Sequence, residues 1–300
     1  MKYVEYIDKH IKSFKDKTIV ITGANSGIGF TLAEQLLYKD AHVVMACRSL
    51  ERATKAKEKL LEEFPNGKVD IILLDQASFT SIESFSKELV EKYPDIYAFV
   101  FNAGIYRPKK GLLTKDGFPL TLGTNYLGPY YLTSLLKEYF KEHAMKVIYV
   151  TSVVQAFGEY KSIEKEFSRH DEKSHSYYVS KRCDISLAVH LLDEISDSCK
   201  VILTHPGIAS TNILNSESSS FSEWLKKAGY KFVHSVMNKA EKSSLTTLRA
   251  LSDDNGSLDY YFPRGLFHFA GYPTKRKIAP KKYRNDSLYS YSEKLINSKK

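Results

Sequence analysis

A tyrosine and a lysine four residues apart are the first candidates for chemistry in this sequence. Tyr177 and Lys181 lie in the run Y-Y-V-S-K, and on a helix this spacing places both side chains on one face. An ammonium near a phenol stabilises the phenolate and lowers the pKa of the phenol, so the pair suits proton transfer. Tyr178 and Arg182 have the same spacing and compete for this role, although arginine cannot join a proton relay. Because the chain contains 21 tyrosines, a tyrosine followed by a basic residue at this spacing is also expected by chance, and its alternative is an exposed helix pair.

A glycine-rich turn follows the first predicted strand and suits a different ligand. Residues 22–29 read T-G-A-N-S-G-I-G. Gly23 permits a tight turn, Gly27 lets the backbone approach a pyrophosphate, and Gly29 allows the next helix to pack closely on the strand. The N–H groups and the positive dipole end of that helix would bind the phosphates. We therefore predict a nucleotide-binding turn rather than a purely structural one, and its other members are Asn25, Ser26 and Ile28.

The residue after the second predicted strand distinguishes NADP(H) from NAD(H). An acidic residue there would accept hydrogen bonds from an unphosphorylated ribose, whereas residues 46–52 read A-C-R-S-L-E-R. The Arg48 guanidinium suits a 2′-phosphate through charge-assisted hydrogen bonds, and Arg52 lies one helical turn further along. A solvated arginine at the start of a helix is the alternative. The sequence thus favours NADP(H) over NAD(H) as the cofactor.

Short apolar runs of strand length alternate with longer helical patterns. The runs are apolar on both faces, as in strands covered by helices on both sides, and lie at 18–22, 42–46, 69–74, 97–101, 146–151, 201–204 and near 258–262. The helical patterns between them lie at 28–39, 50–64, 79–93, 120–141, 176–196 and 240–252. This alternation predicts one α/β domain over residues 1–300, a Rossmann-type doubly wound parallel sheet with helices on both faces.

Six motifs in a fixed order resemble the short-chain dehydrogenase/reductase family. They are T-G-A-N-S-G-I-G, F-N-A-G (101–104), N-Y-L-G (125–128), V-T-S (150–152), Y-Y-V-S-K (177–181) and H-P-G (205–207). The segments A-C-R-S, L-D-Q-A-S (74–78), H-P-G-I-A-S-T-N, Y-Y-F-P and L-Y-S-Y-S-E-K-L are similar to the retinol-dehydrogenase-like branch. The resemblance implies an NADP(H)-dependent oxidoreductase that transfers a hydride between the cofactor and a carbonyl or alcohol.

The resemblance also implies a role for each matching residue. Tyr177 would be the general acid in carbonyl reduction and the base in alcohol oxidation, and Lys181 would hold the nicotinamide ribose and lower the pKa of Tyr177. Ser152 would hydrogen-bond the substrate oxygen, and Asn125 would hold a water that links Lys181 to solvent. The remaining matches would contact the cofactor: Asp75 at the adenine, Asn102, Ala103 and Gly104 beside the fourth strand, and Pro206 and Gly207 at the nicotinamide. The structural alternatives are helix capping for Ser152 and Asp75 and a backbone hydrogen bond for Asn125.

Composition and charge exclude several other classes of protein. The 300 residues are 43% hydrophobic and 26% charged, which is enough apolar mass for a sizeable core and excludes global disorder. Three cysteines without a C-x-x-C pair predict neither a disulfide framework nor a zinc site, and no metal is expected. The charged N-terminal stretch and the lack of a long apolar run predict no signal peptide and no membrane span. We therefore expect a cytoplasmic protein.

Three segments lie outside the repeated strand–helix pattern. Helical spacing of apolar residues over 1–16 predicts a helix packed on the body. The segment 208–240 follows the sixth strand and is predicted to form a substrate lid that favours a lipophilic substrate, with apolar wall residues Trp224, Leu225, Tyr230 and Phe232. Residues 274–300 hold nine Lys/Arg and two Asp/Glu, so this basic C-terminal segment carries +7 of the formal +9.

Two other functions remain open from the sequence. The chain can be a catalytically silent regulatory protein that kept the nucleotide site, or a module that binds an anionic surface through residues 274–300. Our primary expectation is a small-molecule carbonyl or alcohol as partner, without nucleic acid, and membrane-surface contact is the less favoured reading of the basic segment. The sequence leaves open the choice between a monomer and a homo-oligomer.

Overall fold

An eight-stranded sheet runs through the centre of the chain. The computed structural model describes residues 3–106, 108, 111–169, 174–195, 197–207, 240–265 and 268–299. The strands have the spatial order β3-β2-β1-β4-β5-β6-β7-β8, and neighbouring strands are parallel except for β7 and β8. Their bounds are Thr18–Thr22 (β1), His42–Cys47 (β2), Lys68–Leu73 (β3), Ala98–Phe101 (β4), Lys146–Val150 (β5), Lys200–Thr204 (β6), Asp259–Pro263 (β7) and Pro273–Lys277 (β8).

The strand order reverses between β1 and β4. From β1 the chain moves outward to β2 and β3, then returns to the other side of β1 and continues outward from β4. Open α/β sheets leave a crevice at such a switch point, outside the carboxyl ends of the strands. The topology therefore brings the turns after β1 and β4 to the two sides of one crevice.

Helices cover both faces of the sheet. They are α1 (Tyr3–His10), α2 (Gly27–Leu37), α3 (Leu50–Glu63), α4 (Phe79–Lys92), α5 (Leu120–Leu122), α6 (Gly128–Glu142), α7 (Ile163–Phe167), α8 (Ser174–Glu194), α9 (Ala240–Ser243), α10 (Leu245–Ser252), α11 (Pro280–Tyr283) and α12 (Asp286–Asn297). A π-helical turn over Gly123–Leu127 joins α5 to α6, and a 3₁₀ turn spans Val153–Phe157. Among the described residues, no helix is both long and apolar enough to cross a membrane.

Alternate strand residues enter two separate apolar cores. Val20 of β1 packs in a cluster that includes residues of α4, α6, α8 and α12. Its neighbours Ile19 and Ile21 pack in a second cluster with residues of α1, α2, α3 and α10. Because successive side chains of a strand point to opposite faces, this division matches the predicted doubly wound sheet with helices on both sides.

The basic C-terminal segment contributes a strand and a helix to the fold. Strand β8 reads P-T-K-R-K and pairs antiparallel with β7, where Lys275 Nζ lies 2.9 Å from Asp259 Oδ2. Helix α12 buries Leu288, and its Ser292 Oγ lies 2.8 Å from Tyr126 Oη of the π turn. Three basic residues of this segment, Lys275, Arg276 and Lys277, thus lie on an edge strand, where lysines discourage pairing with another chain.

Removing the apolar contact of α12 is expected to destabilise the whole domain. Leu288→Ala deletes a side chain that is 1% exposed, and such changes cost about 2–5 kcal/mol. Leu135→Ala on α6 removes the same atoms from a residue that is 39% exposed, so its effect is expected below about 1 kcal/mol. Urea unfolding measures both. Equal small losses would show that α12 is not part of the cooperative unit.

Candidate active site

A cleft of about 310 Å³ lies at the carboxyl ends of the central strands. Its wall combines the turns that follow β1, β2, β3 and β4 with residues of α8. Of the residues predicted to bind the cofactor, the following line it: Gly23, Asn25, Ser26, Gly27, Ile28, Gly29, Arg48, Asp75, Asn102, Ala103, Gly104, Tyr177, Lys181 and Pro206. Asn125, Ser152 and Gly207 do not line it among the described residues. Asn125 hydrogen-bonds the backbone of Ile105, Ser152 hydrogen-bonds Tyr177, and Gly207 follows Pro206 in the chain.

The turn after β1 has the geometry of an anion-binding loop. Gly23 and Gly27 adopt φ values of +69° and +57°, a conformation that favours glycine. A Cβ on Gly29 would lie 2.5 Å from the Gly23 carbonyl oxygen, so only glycine fits at this point. Within the described part of the chain, Ser26 makes no side-chain cap hydrogen bond to the first turn of α2, whereas Ser78 caps α4. The N-terminus of α2 is therefore open to an anion in the cleft.

The turn after β4 is tied directly to the end of β1. Asn102 Nδ2 donates to the Thr22 carbonyl at 2.9 Å, and the Asn102 and Ala103 amides donate to Thr22 Oγ1 at 3.0 and 2.9 Å. The Asn102 side chain thus holds the two sides of the switch point together. A Cβ on Gly104 would be in ordinary contact with Asn125 Oδ1 and Lys181 Nζ, at 3.5 and 3.7 Å.

Arg48 and Arg52 stand where the second strand ends. Both side chains are exposed and line the cleft, and neither guanidinium is paired with a carboxylate among the residues that the structure describes. Asp75 also lines the cleft, but its oxygens have local partners. Oδ1 accepts from the Ala77 amide at 3.1 Å, and Oδ2 lies 3.2 Å from Lys115 Nζ. The carboxylate of Asp75 therefore also has a structural role in the turn before α4.

Buried polar atoms of two side chains on the cleft wall are evidence for a site that binds a polar ligand. Within the described ranges, the amide of Gln76 and the hydroxyl of Thr124 are buried and have no hydrogen-bond partner. Buried polar atoms are normally satisfied, so unpartnered atoms on a cleft wall are consistent with a ligand that supplies the missing hydrogen bonds. Together with the glycine turn, they fit a bound dinucleotide.

Tyr177, the predicted proton-transfer group, lies on α8. The Tyr177 phenol hydrogen-bonds Ser152, and the ring of Tyr106 meets the Tyr177 ring edge-on at 5.0 Å. Burial raises the pKa of Tyr177, while Lys181 and the hydrogen bond from Ser152 lower it. The predicted effect of Lys181 has the correct sign, but burial outweighs it, and the pKa of Tyr177 lies above its ordinary value. At neutral pH the phenol therefore keeps its proton.

Ser152 and Asn125 also make hydrogen bonds that stabilise the local backbone. Ser152 is the N-cap of the 3₁₀ turn and accepts from the Val154 amide at 3.5 Å. Asn125 lies in the π turn, a feature common at functional sites, and is 1% exposed. Its Oδ1 accepts from the Ile105 amide at 2.8 Å and its Nδ2 donates to the Ile105 carbonyl at 2.9 Å. The backbone hydrogen bond that we considered as an alternative is thus present, and the water bridge to Lys181 stays a prediction.

The competing pair Tyr178 and Arg182 lies outside the cleft formed by the described residues. Arg182 Nη2 is 3.6 Å from Glu159 Oε1, and its guanidinium stacks over Tyr283.

Gly207 has a positive φ of +78°, and its amide donates to His205 Nδ1 at 3.0 Å, so this glycine shapes the loop after β6. The predicted lid residues Trp224, Leu225, Tyr230 and Phe232 lie outside the described residues.

Several residues of the site were not predicted. Asp184 forms a buried ion pair with Lys181, and the i, i+3 spacing in the sequence already places the two on one helical face. Gln76, in the turn after β3, and Thr124, in the π turn, line the cleft without belonging to any expected set, because a single polar residue in such a turn has no distinctive spacing. Further wall residues absent from the prediction are Ala46, Leu74, Ile105, Val150 and Thr151.

Comparison with protein families identifies the class. The family model for short chain dehydrogenase matches residues 17–220, about two thirds of the chain. The chain therefore belongs to the short-chain dehydrogenase family, and the predicted resemblance is confirmed. The part of the chain that matches contains the glycine turn, Ser152, Tyr177 and Lys181.

Two human relatives show the same likeness. WW domain-containing oxidoreductase is 34% identical over 194 residues, which cover 62% of this chain and 47% of that protein. Retinol dehydrogenase 14 is 32% identical over 212 residues, which cover 66% of this chain and 63% of that protein. The match thus spans about half of the first relative and under two thirds of the second. The second relative confirms the resemblance to the retinol-dehydrogenase-like branch.

A solved structure shows the same fold. Alcohol dehydrogenase from the archaeon Thermococcus sibiricus, complexed with 5-hydroxy-NADP, is 22% identical and superposes with a TM-score of 0.59. The superposition covers 80% of this chain and 93% of that chain. At this identity the likeness concerns the fold alone, and it agrees with the predicted Rossmann-type sheet, which the strand order confirms.

The close approach at Gly29 makes a testable stability prediction. Gly29→Ala places a methyl group against the Gly23 carbonyl, and overpacking of this kind costs about 1–3 kcal/mol. Gly104→Ala is the matched control, because its Cβ meets only ordinary contacts, and it is expected to leave the free energy of unfolding nearly unchanged. Urea denaturation of both variants measures the difference. A tolerated Gly29→Ala would contradict the tight turn described for residues 23–29.

Proposed function

We propose that this chain is an NADP(H)-dependent oxidoreductase that transfers a hydride between the cofactor and a carbonyl or alcohol. The observation that carries the proposal is the position of Tyr177 and Lys181 in the same cleft as the glycine turn after β1. One part of the cleft suits a dinucleotide pyrophosphate, and another holds a protonated phenol. The family match supports a dehydrogenase or reductase that acts on CH–OH or C=O.

The glycine turn and the arginines at the end of β2 are proposed to bind the cofactor. The open N-terminus of α2 would bind the pyrophosphate, and Arg48 with Arg52 would bind a 2′-phosphate. Bound NADP(H) supplies or accepts the hydride, while the protein orients the reactants and moves the proton.

Tyr177 is proposed to donate the proton in carbonyl reduction. Its pKa lies above the ordinary value because burial outweighs the effect of Lys181, so the phenol is protonated at neutral pH. The single O–H of Ser152, which bonds the phenol in the structure, would turn to the substrate oxygen and stabilise the negative charge that develops there. Alcohol oxidation needs the phenolate instead, so this direction is favoured at alkaline pH.

Aromatic side chains near Tyr177 support a lipophilic substrate. The ring of Tyr106 packs edge-on against the ring of Tyr177, with ring centroids 5.0 Å apart. Phe157, on the 3₁₀ turn that follows Ser152, is 71% exposed, and its ring centroid lies 6.5 Å from that of Tyr178, the next residue along α8. Aromatic side chains are typical of sites that bind apolar substrates. We therefore propose a small lipophilic alcohol or carbonyl compound as the partner.

We propose that the protein works in a reducing compartment, because its three cysteines are unpaired. Cys47, Cys183 and Cys199 are all buried and free. Burial raises the pKa of Cys47 to about 11, so its thiol is unreactive at neutral pH. Buried, inert thiols of this kind support a cytoplasmic location, where disulfides rarely form.

Reversing the charge at Arg48 tests the choice of cofactor. Arg48→Asp is expected to weaken NADPH binding relative to NADH by about 1–3 kcal/mol, the range for hydrogen bonds to charged groups. Lys59→Asp changes the net charge equally on the exposed face of α3 and is expected to leave the ratio unchanged. Fluorescence titration of both cofactors gives the dissociation constants. An unaltered NADPH/NADH ratio in Arg48→Asp would reject the assignment.

The raised pKa of Tyr177 predicts opposite pH profiles for the two directions. The kcat/KM for a carbonyl is expected to stay level through neutral pH and fall only above about pH 10, the ordinary pKa of tyrosine. The rate of alcohol oxidation should rise over the same alkaline range, because the phenolate forms there.

Tyr177→Phe is expected to lose about 10²-fold or more of turnover while it still binds NADPH. Substantial turnover by this variant would exclude Tyr177 as the proton donor.

A further inference from the structure

Lys181 is buried beside an acidic residue that the proposed mechanism has not used. The Lys181 side chain is 6% exposed, and the Asp184 side chain, one helical turn further along α8, is 5% exposed. Lys181 Nζ donates to Asp184 Oδ2 at 2.9 Å and to the Val150 carbonyl of β5 at 2.9 Å. Two of the three N–H donors of the ammonium are therefore bound to fixed acceptors, and the third is left for the cleft.

An ammonium in this position needs a counter-charge. Burial alone lowers the pKa of Lys181, whereas the Asp184 carboxylate and Tyr177 raise it, and the net pKa lies above the ordinary value. Burial raises the pKa of Asp184, while Lys181 lowers it. The 2.9 Å contact between Asp184 Oδ2 and Lys181 Nζ favours the ionised carboxylate. A buried lysine without such a partner loses its proton well below pH 10. The charge on Lys181 thus depends on Asp184.

Few other titratable groups face this pair. Tyr177 lines the cleft, with Tyr106 edge-on against its ring, Tyr149 contributes from β5, and Cys183 is the neighbour on α8. Within the described ranges, Asp184 is the one carboxylate that acts on Lys181. Burial raises the pKa of Tyr149 and Cys183 far above neutral, so both stay uncharged. At neutral pH, where the Tyr177 phenol keeps its proton, Asp184 is therefore the group that balances the charge of Lys181.

We propose that Asp184 is a positioning residue, which supplies the counter-charge that keeps Lys181 protonated and fixed between β5 and Tyr177. This inference rests on the proposed function, since it assigns a purpose to Lys181 in proton transfer. Asp184 acts through Lys181 and does not itself contact the cleft formed by the described residues. Its loss is expected to change the pH range of catalysis more than the strength of cofactor binding.

The first experiment compares pH profiles. Asp184→Asn keeps the shape of the side chain and removes its charge. Lys181 is then expected to lose its proton at lower pH, by about two pH units, within the range known for buried lysines. Because neutral Lys181 no longer lowers the pKa of Tyr177, the phenol becomes a weaker proton donor, and the alkaline limb of kcat/KM for carbonyl reduction should then follow Lys181 to lower pH. Asp193→Asn on the same helix removes a carboxylate that pairs with Arg284 at the surface, and it should leave the limb in place.

A second measurement follows Lys181 directly and does not need turnover. The ¹³Cε chemical shift of Lys181, assigned with Lys181→Met, reports its protonation by NMR. In the unaltered chain Lys181 should remain charged beyond pH 10, and in Asp184→Asn it should titrate about two units lower. Titration of Lys181 below pH 9 in the unaltered chain would overturn the proposal, as would equal titration in both proteins.

The two measurements separate the two hypotheses. A chain that shows the expected NMR titrations but reduces no carbonyl would disprove the proposed function and leave the role of Asp184 intact. A chain that reduces carbonyls with the same alkaline limb in both forms would disprove the role of Asp184 alone. If Asp184→Asn does not fold, the titration of Lys181 in the unaltered chain still decides.

Discussion

The cost of burying one ammonium governs the arrangement of this site. Lys181 reaches the base of the cleft only because β5 offers the Val150 carbonyl and α8 offers the Asp184 carboxylate, each at 2.9 Å. A third contact fixes the same two elements, since Thr151 Oγ1 donates to the Lys181 carbonyl at 2.7 Å. The end of β5 and the centre of α8 are thereby held in one register. Tyr177, one turn before Lys181, takes its position beside Ser152 from this register.

The other half of the site depends on sheet topology. Reversal of strand order at β1 and β4 opens the crevice, and the hydrogen bonds from Asn102 and Ala103 to Thr22 keep its two sides together. The glycines after β1 then leave the N-terminus of α2 facing the opening. The glycine turn and Tyr177 line the same cleft, so the topology supplies the proximity that the proposed hydride transfer would need.

The sequence predicted the repeating elements well because their periodicity is strong. The run T-I-V-I-T coincides with β1, and the helix predicted at 50–64 is observed over Leu50–Glu63. Strand β8 was missed because P-T-K-R-K has no apolar alternation, as befits an exposed edge. The sequence predicts one helix over 120–141, but a π turn around Asn125 interrupts it. No local residue preference in the sequence marks that interruption. The net pKa of Tyr177 also escaped prediction, since burial depends on tertiary packing that spacing along one helix does not show.

Transfer of a labelled hydride tests the central claim most directly. The purified chain would be incubated with NADPH deuterated at C4 of the nicotinamide and with aldehydes, ketones, quinones and retinoids in turn. Mass spectrometry would then measure the deuterium content of each product. The account predicts an alcohol that carries one deuterium on the former carbonyl carbon, formed from at least one lipophilic compound. Binding of NADPH in the cleft without deuterium in any product, across the whole panel, would contradict it.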